Sequence, residues 1–353
     1  DEAVVEGYIN NPSEAYPPTP PGKSLPAQDW AGDYISHLVK PFPSGGLRGL
    51  KVVLDCSNGA ASAIAPSAFE RLGAEVFTAH AQPDGCNINH ECGSEFFRAG
   101  KGDLVKNLKV ARAHFAAAFD GDADRAIFAD EEGNLVDGDH ILYLFARHLL
   151  AESRLPGPVV VTTTMANSGL DDGLSAQGVR TLRTQVGDKY VLREMLAGGF
   201  ILGGEQSGHI ILYDAEHTTG DGIYTALVLA EIVNQDAQRS LKRLASGFHK
   251  KPQVIASARV SARPKLETIP GFTQSYHQVL EQLGAGATVN VRYSGTEPLV
   301  RVMIEAGLEH SVEKLAQISL ELCRIVQEGS DSPKTHVEVK DCVSGKVLDV
   351  PGN

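Results

Sequence analysis

Ala116-Ala117-Ala118-Phe119-Asp120-Gly121-Asp122-Ala123-Asp124-Arg125-Ala126-Ile127-Phe128-Ala129 decides the fold. Its two apolar runs show no polar alternation, which is the pattern of strands buried on both faces. Between them, three carboxylates alternate in a loop too short to spread them apart, and their mutual repulsion is costly unless a divalent cation sits among them. A calcium loop of the EF-hand type also has Asp at positions 1, 3 and 5, with Glu131 here at position 12. Arg125, however, replaces the glycine of the sharp turn, and strands flank the loop where helices belong. An Asp-x-Asp nucleophile at a strand end is the competing reading of the same residues.

Outward from this hairpin, strands alternate with helices. Upstream come a strand at Leu50–Asp55, a helix over Ala60–Gly73 expected to break or restart at Pro66, a strand at Ala74–Thr78 and a helix near Leu104–Ala113. Downstream, Asp139–Leu150 reads as an apolar helix, and Pro156-Gly157-Pro158 as a domain boundary. The rhythm then repeats: strand Val159–Thr163, helix Gly169–Gln177, strand Thr181–Thr184, helix Lys189–Leu196, strands around Gly203 and a long helix over Asp221–Val233. From Gln253 the order changes to strand, helix (Gly271–Leu283), a strand pair turning at Ser294-Gly295, and helix Ser311–Gln327; after Asp331 only surface strands or loop are expected. The expected fold is α/β, with two related mixed or parallel-sheet α/β domains followed by an α+β C-terminal domain. The expected boundaries are a connector at 1–45, a first α/β domain at 46–155, a second at 156–250, and an α+β domain with a tail at 251–353.

The connector is assigned from the six prolines within residues 1–28, which favour extended backbone. Asp29 is placed to cap a short helix with Trp30, Tyr34, Ile35 and Leu38 on one side. Because the chain opens at Asp1 without Met, the connector is expected to be the tail of a preceding domain.

Composition narrows the function classes. The 353 residues are 42% hydrophobic and 22% charged, with a mean hydropathy of −0.13, the balance of an ordinary globular protein. Lys and Arg number 32 against 44 Asp and Glu, a net charge of −12. This acidity argues against nucleic acid and against an anionic membrane surface, so a phosphate-bearing ligand must be small and held by a few placed groups. The cysteines, Cys56, Cys86, Cys92, Cys323 and Cys342, are odd in number and lack C-x-x-C spacing, which points to a reducing, cytoplasmic setting. No apolar run reaches membrane-spanning length. Nothing in the sequence fixes an oligomeric state.

Two further loops carry chemistry. Gly203-Gly204-Glu205-Gln206-Ser207-Gly208-His209 gathers an acid, an amide, a hydroxyl and an imidazole on a glycine-rich turn, a set suited to sugar hydroxyls. Arg292-Tyr293-Ser294-Gly295-Thr296-Glu297-Pro298, with Arg301, has the composition of a phosphate cradle: hydroxyls and backbone N–H groups can donate to phosphate oxygens, and two guanidiniums add charge-assisted bonds.

Taken together and in this order, the loops resemble those of the α-D-phosphohexomutase superfamily: D-G-D-x-D-R for metal, G-E-x-S-G-H for sugar and R-x-S-G-T-E-P for phosphate. The likeness runs from about residue 1 to residue 330. Gln206, where relatives acting on mannose or glucose phosphates usually carry Met, is similar to the phosphoglucosamine mutase branch. So are Thr218-Thr219-Gly220-Asp221-Gly222, Asn87-Ile88-Asn89, Cys92-Gly93-Ser94, Asp55-Cys56-Ser57-Asn58-Gly59-Ala60 and Val186-Gly187-Asp188-Lys189-Tyr190-Val191, the last with Lys189 where the branch more often has Arg. The resemblance implies an intramolecular phosphotransferase that interconverts glucosamine 6-phosphate and 1-phosphate through a phosphoserine and a bisphosphorylated sugar. Phosphomannomutase or phosphoglucomutase activity, or non-catalytic sugar-phosphate binding, are the alternatives. It further implies that Asp120, Asp122 and Asp124 hold Mg²⁺ with Arg125 as an electrostatic clamp beside it. Glu205, Ser207 and His209 would grip the sugar, and Arg292, Ser294, Gly295, Thr296 and Arg301 would hold the phosphate that is not reacting. The family's Ser-His-Asn-Pro nucleophile loop does not occur in residues 1–353; Ser36-His37 is followed by Leu38. No serine is therefore named as nucleophile, and the chain alone is expected to bind metal poorly and not to turn over.

Overall fold

The computed structural model describes residues 2–11, 22, 29–214, 216–294 and 297–352. The chain divides into two units, 1–34 and 35–353. In the first, Glu2–Asn10 forms helix α1, where an extended connector was expected. The prolines that impose extended backbone begin only at Pro12, and the helix stops just before it, as the restriction on a residue preceding proline requires. The remaining prolines before Asp29 lie outside the described residues. Helix α2 (Trp30–Val39) is capped as expected, Gly32 N donating to Asp29 Oδ1 at 2.9 Å. Trp30 is exposed, while Ile35 and Leu38 are buried.

In the larger unit the chain runs β1 (Lys51–Asp55), α3 (Ala61–Arg71), β2 (Glu75–Ala79), α4 (Ser94–Arg98), α5 (Leu104–Ala111), β3 (Phe115–Phe119), β4 (Ala126–Asp130) and β5 (Leu135–Val136). These strands form one sheet in the order β2-β1-β3-β4-β5, in which β1 pairs parallel with β2 and β3, and the β3–β4 and β4–β5 pairs are antiparallel. Every residue of β3 and β4 is buried, as their unbroken apolar runs predict. Pro66 does not break α3; it sits inside one continuous helix, which gives up a single N–H there and keeps its buried face of Ala61, Ala65, Ala68 and Phe69.

Helix α6 (Gly138–Ala151) leads to β6 (Val159–Thr163), α7 (Gly169–Ser175), β7 (Arg180–Thr184), α8 (Asp188–Gly198), β8 (Leu202–Gly204), β9 (Ile210–Leu212), α9 (Gly222–Gln235) and α10 (Leu241–Ala245). The second sheet runs β7-β6-β8-β9, parallel except for its final β8–β9 hairpin. Helix α6 is fastened to this block: Gly138 N donates to Gln206 O, and Asn167 N to Asp139 Oδ2, both at 3.1 Å. Its attachment favours a boundary near residue 137 in place of the expected one at 155.

The third block contains β10 (Gln253–Arg259), α11 (Phe272–Leu283), β11 (Thr288–Tyr293), β12 (Leu299–Glu305), α12 (Val312–Gly329), β13 (Glu338–Asp341) and β14 (Val347–Leu348). Its sheet, β11-β12-β10-β13-β14, is antiparallel throughout and packs its apolar face on α11 and α12. The weakly patterned tail supplies two of its strands, and Val337 and Val339 are fully buried there.

Candidate active site

The acidic loop joins β3 to β4. Asp120, Asp122 and Asp124 each bring a carboxylate oxygen to within 4.8 Å of the others. Arg125 lies beside them, its Nε 3.7 Å from Asp120 and 3.6 Å from Asp124, and its backbone N–H donates to Asp120 at 3.2 Å. Asp124 Oδ1 and Arg125 Nε are buried without a hydrogen-bond partner. Burial, aggravated by Asp124 and Asp122, pushes the Asp120 carboxyl up to about 7. Asp124 is shifted the other way, chiefly by its hydrogen bond with His209. A hard divalent cation fits this arrangement: it would take the orphaned Asp124 oxygen and relieve the repulsion at Asp120.

The same loop is held from two sides. Ala60 N donates to Gly121 O at 2.9 Å within its own block. From the second block, Gly208 lies so close that an added Cβ would stand 2.3 Å from Ala126 O, and its φ of +94° independently favours glycine.

The β8–β9 loop carries the predicted sugar residues, which the turn sorts onto opposite sides. Glu205 and Ser207 are half-buried; Gln206 and His209 are only 6% and 4% exposed. Glu205 Oε1 accepts from Gly187 N at 3.1 Å, tying this loop to the Val186–Val191 segment. The His209 side chain faces the acidic loop, its Nδ1 3.1 Å from Asp124 Oδ2, and its ring packs so tightly on Gly220 that no Cβ fits there. Burial disfavours the imidazolium, yet the bond to Asp124 and that residue's charge raise the His209 pKa overall. The arrangement makes His209 a brace between the two loops.

Gln206 departs further from expectation. The sequence reading used it to choose among sugars, but its amide turns into the core and donates to Asp139 Oδ2 and Gln253 Oε1, both at 2.9 Å. Behind it lies a buried network that the sequence reading missed. Lys250 Nζ bonds Asp137 and lies 3.1 Å from Asp139. Gln253 Nε2 donates to Met165 O and Glu305 Oε2, and Glu305 accepts from Ser168 N. Burial opposes the charge on Asp137, but the Lys250 ammonium and His140 hold its carboxyl far below the usual range. These residues are scattered from 137 to 305, so no local spacing announces them; the only trace is the acidic alternation of Asp137-Gly138-Asp139.

In the third block, Arg292 on β11 and Arg301 on β12 stand directly opposite one another in the antiparallel register. Like charges so paired are unfavourable without an anion between them. Burial and the Arg301 charge both lower the Arg292 pKa, with an opposing contribution from Glu205 in the neighbouring block. Arg301 Nη2 lies 2.8 Å from Glu297, whereas Arg292 has no acidic partner among the described residues. Ser294 is buried and its Oγ accepts from Glu297 N at 3.3 Å, which leaves its proton free to donate elsewhere. Gly295 and Thr296 lie outside the described residues.

These three blocks and their loops are matched, one by one, in sequence comparison. Family models of phosphoglucomutase/phosphomannomutase match residues 32–133 (alpha/beta/alpha domain II), 137–251 (alpha/beta/alpha domain III) and 256–335 (the C-terminal domain). The chain belongs to this phosphohexomutase family. It is 43% identical over 304 residues to a phosphoglucosamine mutase of Pelobacter propionicus, covering 86% of this chain and 66% of that protein. To the phosphoglucosamine mutase of Brevibacillus brevis it is 42% identical over 324 residues, covering 90% of this chain and 71% of the relative. The chain thus spans about two thirds of the length of these curated relatives. Among solved structures, an Aspergillus fumigatus N-acetylphosphoglucosamine mutase in complex with GlcNAc-6P and magnesium has the same fold, with a TM-score of 0.68 at 20% identity over 84% of this chain and 70% of that one. No described helix is long and apolar enough to cross a membrane.

Proposed function

We propose that residues 46–353 form the metal-, sugar- and phosphate-binding part of a mutase that interconverts glucosamine 6-phosphate and glucosamine 1-phosphate. The observation that carries this reading is the convergence of the three loops. His209 braces the acidic loop against the β8–β9 turn, and the charge of Glu205 on that turn reaches Arg292 across the next block boundary. A sugar held by Glu205 and Ser207 lies, in this reading, between the carboxylates and the arginine pair.

In this reading Asp120, Asp122 and Asp124 would hold Mg²⁺, which would supply positive charge against the negative charge on a transferred phosphoryl group. Arg125 adds a second cation beside the same carboxylates. Arg292 and Arg301 grip the phosphate that stays unreacted, with Ser294, Gly295 and Thr296 as further donors. Binding energy gained at that remote phosphate helps orient the reacting end, and one cradle can receive either phosphate of a bisphosphorylated sugar in turn. Glu205 and Ser207 select and orient ring hydroxyls. The phosphoryl-carrying serine is assigned to none of residues 1–353, so these residues alone are expected to bind substrate without turning it over.

The preference for an amino sugar rests on the relatives, because the Gln206 amide nitrogen is taken up by Asp139 and Gln253 in the core. Calorimetric titration of the chain with glucosamine 6-phosphate, glucose 6-phosphate and unphosphorylated glucosamine in Mg²⁺ tests each part. The expected order is tightest for glucosamine 6-phosphate and unmeasurable for the free sugar, with Arg292→Ala costing about tenfold or more. Equal binding of the two phosphosugars would remove the amino-sugar assignment, and binding of neither would remove the site assignment. Mutase turnover by residues 1–353 alone would overturn the assignment of the serine elsewhere.

A further inference from the structure

A second candidate metal site lies at the same end of the first sheet as the acidic loop, Asp55 being in register with Ala118. Asp55 ends β1, His80 follows β2, and Cys92 precedes α4. Because β1 and β2 are parallel neighbours with Asp55 in register with Ala79, the first two residues leave the sheet at the same end. A carboxylate oxygen, a ring nitrogen and the Cys92 sulfur there lie within 4.8 Å of one another. Asp55 and Cys92 are 3% and 4% exposed. The Asp55 carboxylate is locked in place, Oδ1 accepting from Ser57 N at 3.0 Å and Oδ2 from Gly93 N at 3.1 Å, with acceptor positions to spare. His80 Nδ1 is 3.2 Å from Asp55 Oδ1, yet it is buried with no partner in hydrogen-bonding geometry. The His80 backbone, at φ +48°, is in the left-handed region, uncommon outside glycine, at the point where its ring enters the cluster.

We propose that Asp55, His80 and Cys92 bind a borderline-soft divalent ion of the Zn²⁺ class. One thiolate, one imidazole and one carboxylate form a donor set that suits Zn²⁺ and does not suit Mg²⁺, which prefers oxygen alone. The partly exposed His80 leaves room for a water at a fourth position. The site is distinct from the acidic loop, whose donors are all oxygens, but residues next to it bond the strand and loop that carry those oxygens. Ser57 Oγ lies 2.9 Å from Phe119 O and 2.8 Å from Asn89 Oδ1, and Ala60 N donates to Gly121 O. An ion tying β1, β2 and the segment before α4 together would stiffen the base from which Asp120 projects.

Cobalt(II) titration of the chelator-treated chain tests this by spectrum, without reference to turnover. A thiolate ligand gives a near-ultraviolet sulfur-to-cobalt charge-transfer band that an all-oxygen site cannot produce. One equivalent is expected to saturate this band; Zn²⁺ should displace the cobalt, and excess Mg²⁺ should not. Cys92→Ser is expected to abolish the band, while Cys86→Ser, at the exposed cysteine, should leave it intact. His80→Asn, which tolerates the left-handed backbone and keeps the thiol, should weaken binding at least about tenfold and so stands in if the cysteine variant does not fold. No band in the wild-type chain, a band that survives Cys92→Ser, one lost with Cys86→Ser, one unmoved by His80→Asn, or displacement by Mg²⁺ would each overturn the proposal.

Discussion

The first α/β block and the second are built to one plan and finished differently. In each, a central strand pairs in parallel with two neighbours, and the third strand turns back in an antiparallel hairpin: β2-β1-β3-β4 in one and β7-β6-β8-β9 in the other. The two hairpin loops therefore occupy equivalent positions, and both carry polar residues. In the first block the carboxylates of the β3–β4 loop face one another with a buried oxygen unpaired. In the second, the inward residues of the β8–β9 loop are paired: Gln206 with Asp139 and Gln253, and His209 with Asp124. The difference teaches that the topology places a loop, while the balance of charge inside it decides whether the loop is complete in itself or waits for an ion.

The strongest way to break this contrast is to leave the second block's network unbalanced. Lys250→Met strands Asp137 and Asp139 as buried carboxylates without their cation, and denaturant unfolding is expected to show a loss of about 3–5 kcal/mol. A loss under about 1 kcal/mol would mean that the block is not held by internal pairing. Gln206→Leu removes one amide from between two buried acceptors. A cost of about 1–3 kcal/mol is expected, with phosphosugar affinity of the folded protein unchanged; a changed sugar preference would return Gln206 to the ligand.

For the first block, pH sharpens the comparison. The Asp120 pKa in the fold, about 7, lies above its unfolded value. The metal-free fold therefore favours the protonated form and loses stability as pH rises from the carboxylate range toward 7. Mg²⁺ needs the ionised form, so its stabilisation, read as a thermal shift, should be larger at pH 8 than at pH 6, with apparent affinity falling up to about tenfold per unit below 7. A shift equal at both values would show that Asp120 is not a ligand. The smallest effect is expected at the outward-facing Ser207: Ser207→Ala should change stability by less than about 0.5 kcal/mol, while weakening glucosamine 6-phosphate binding several-fold in calorimetry.

Much of the fold was legible because burial on both faces of a strand leaves a local signature. The runs at Ala116–Phe119, Ala126–Ala129 and Val159–Thr163 announced the two parallel-containing sheets. The N-terminal helix escaped because the weight given to six prolines was spread over a segment that the first of them only ends. The tail was legible only as surface strands or loop because what buries β13 is a partner far along the chain, Val339 standing beside Ala256. At the site, the carboxylate triad and the arginines could be listed from the sequence. The orientations of Gln206 and His209 could not, since a turn decides which side chains point inward.

What the sequence by itself determined was the set of loops, their order and the residue types they offer, because each is a local string with its own charge and turn chemistry. Only the tertiary structure decided their partners: that Asp124 meets His209, that Gln206 closes on Asp139 and Gln253, and that Arg292 faces Arg301. Those pairings join residues up to 85 positions apart, and chain folding alone brings such distant groups to hydrogen-bonding range, where burial makes each charge depend on its neighbour.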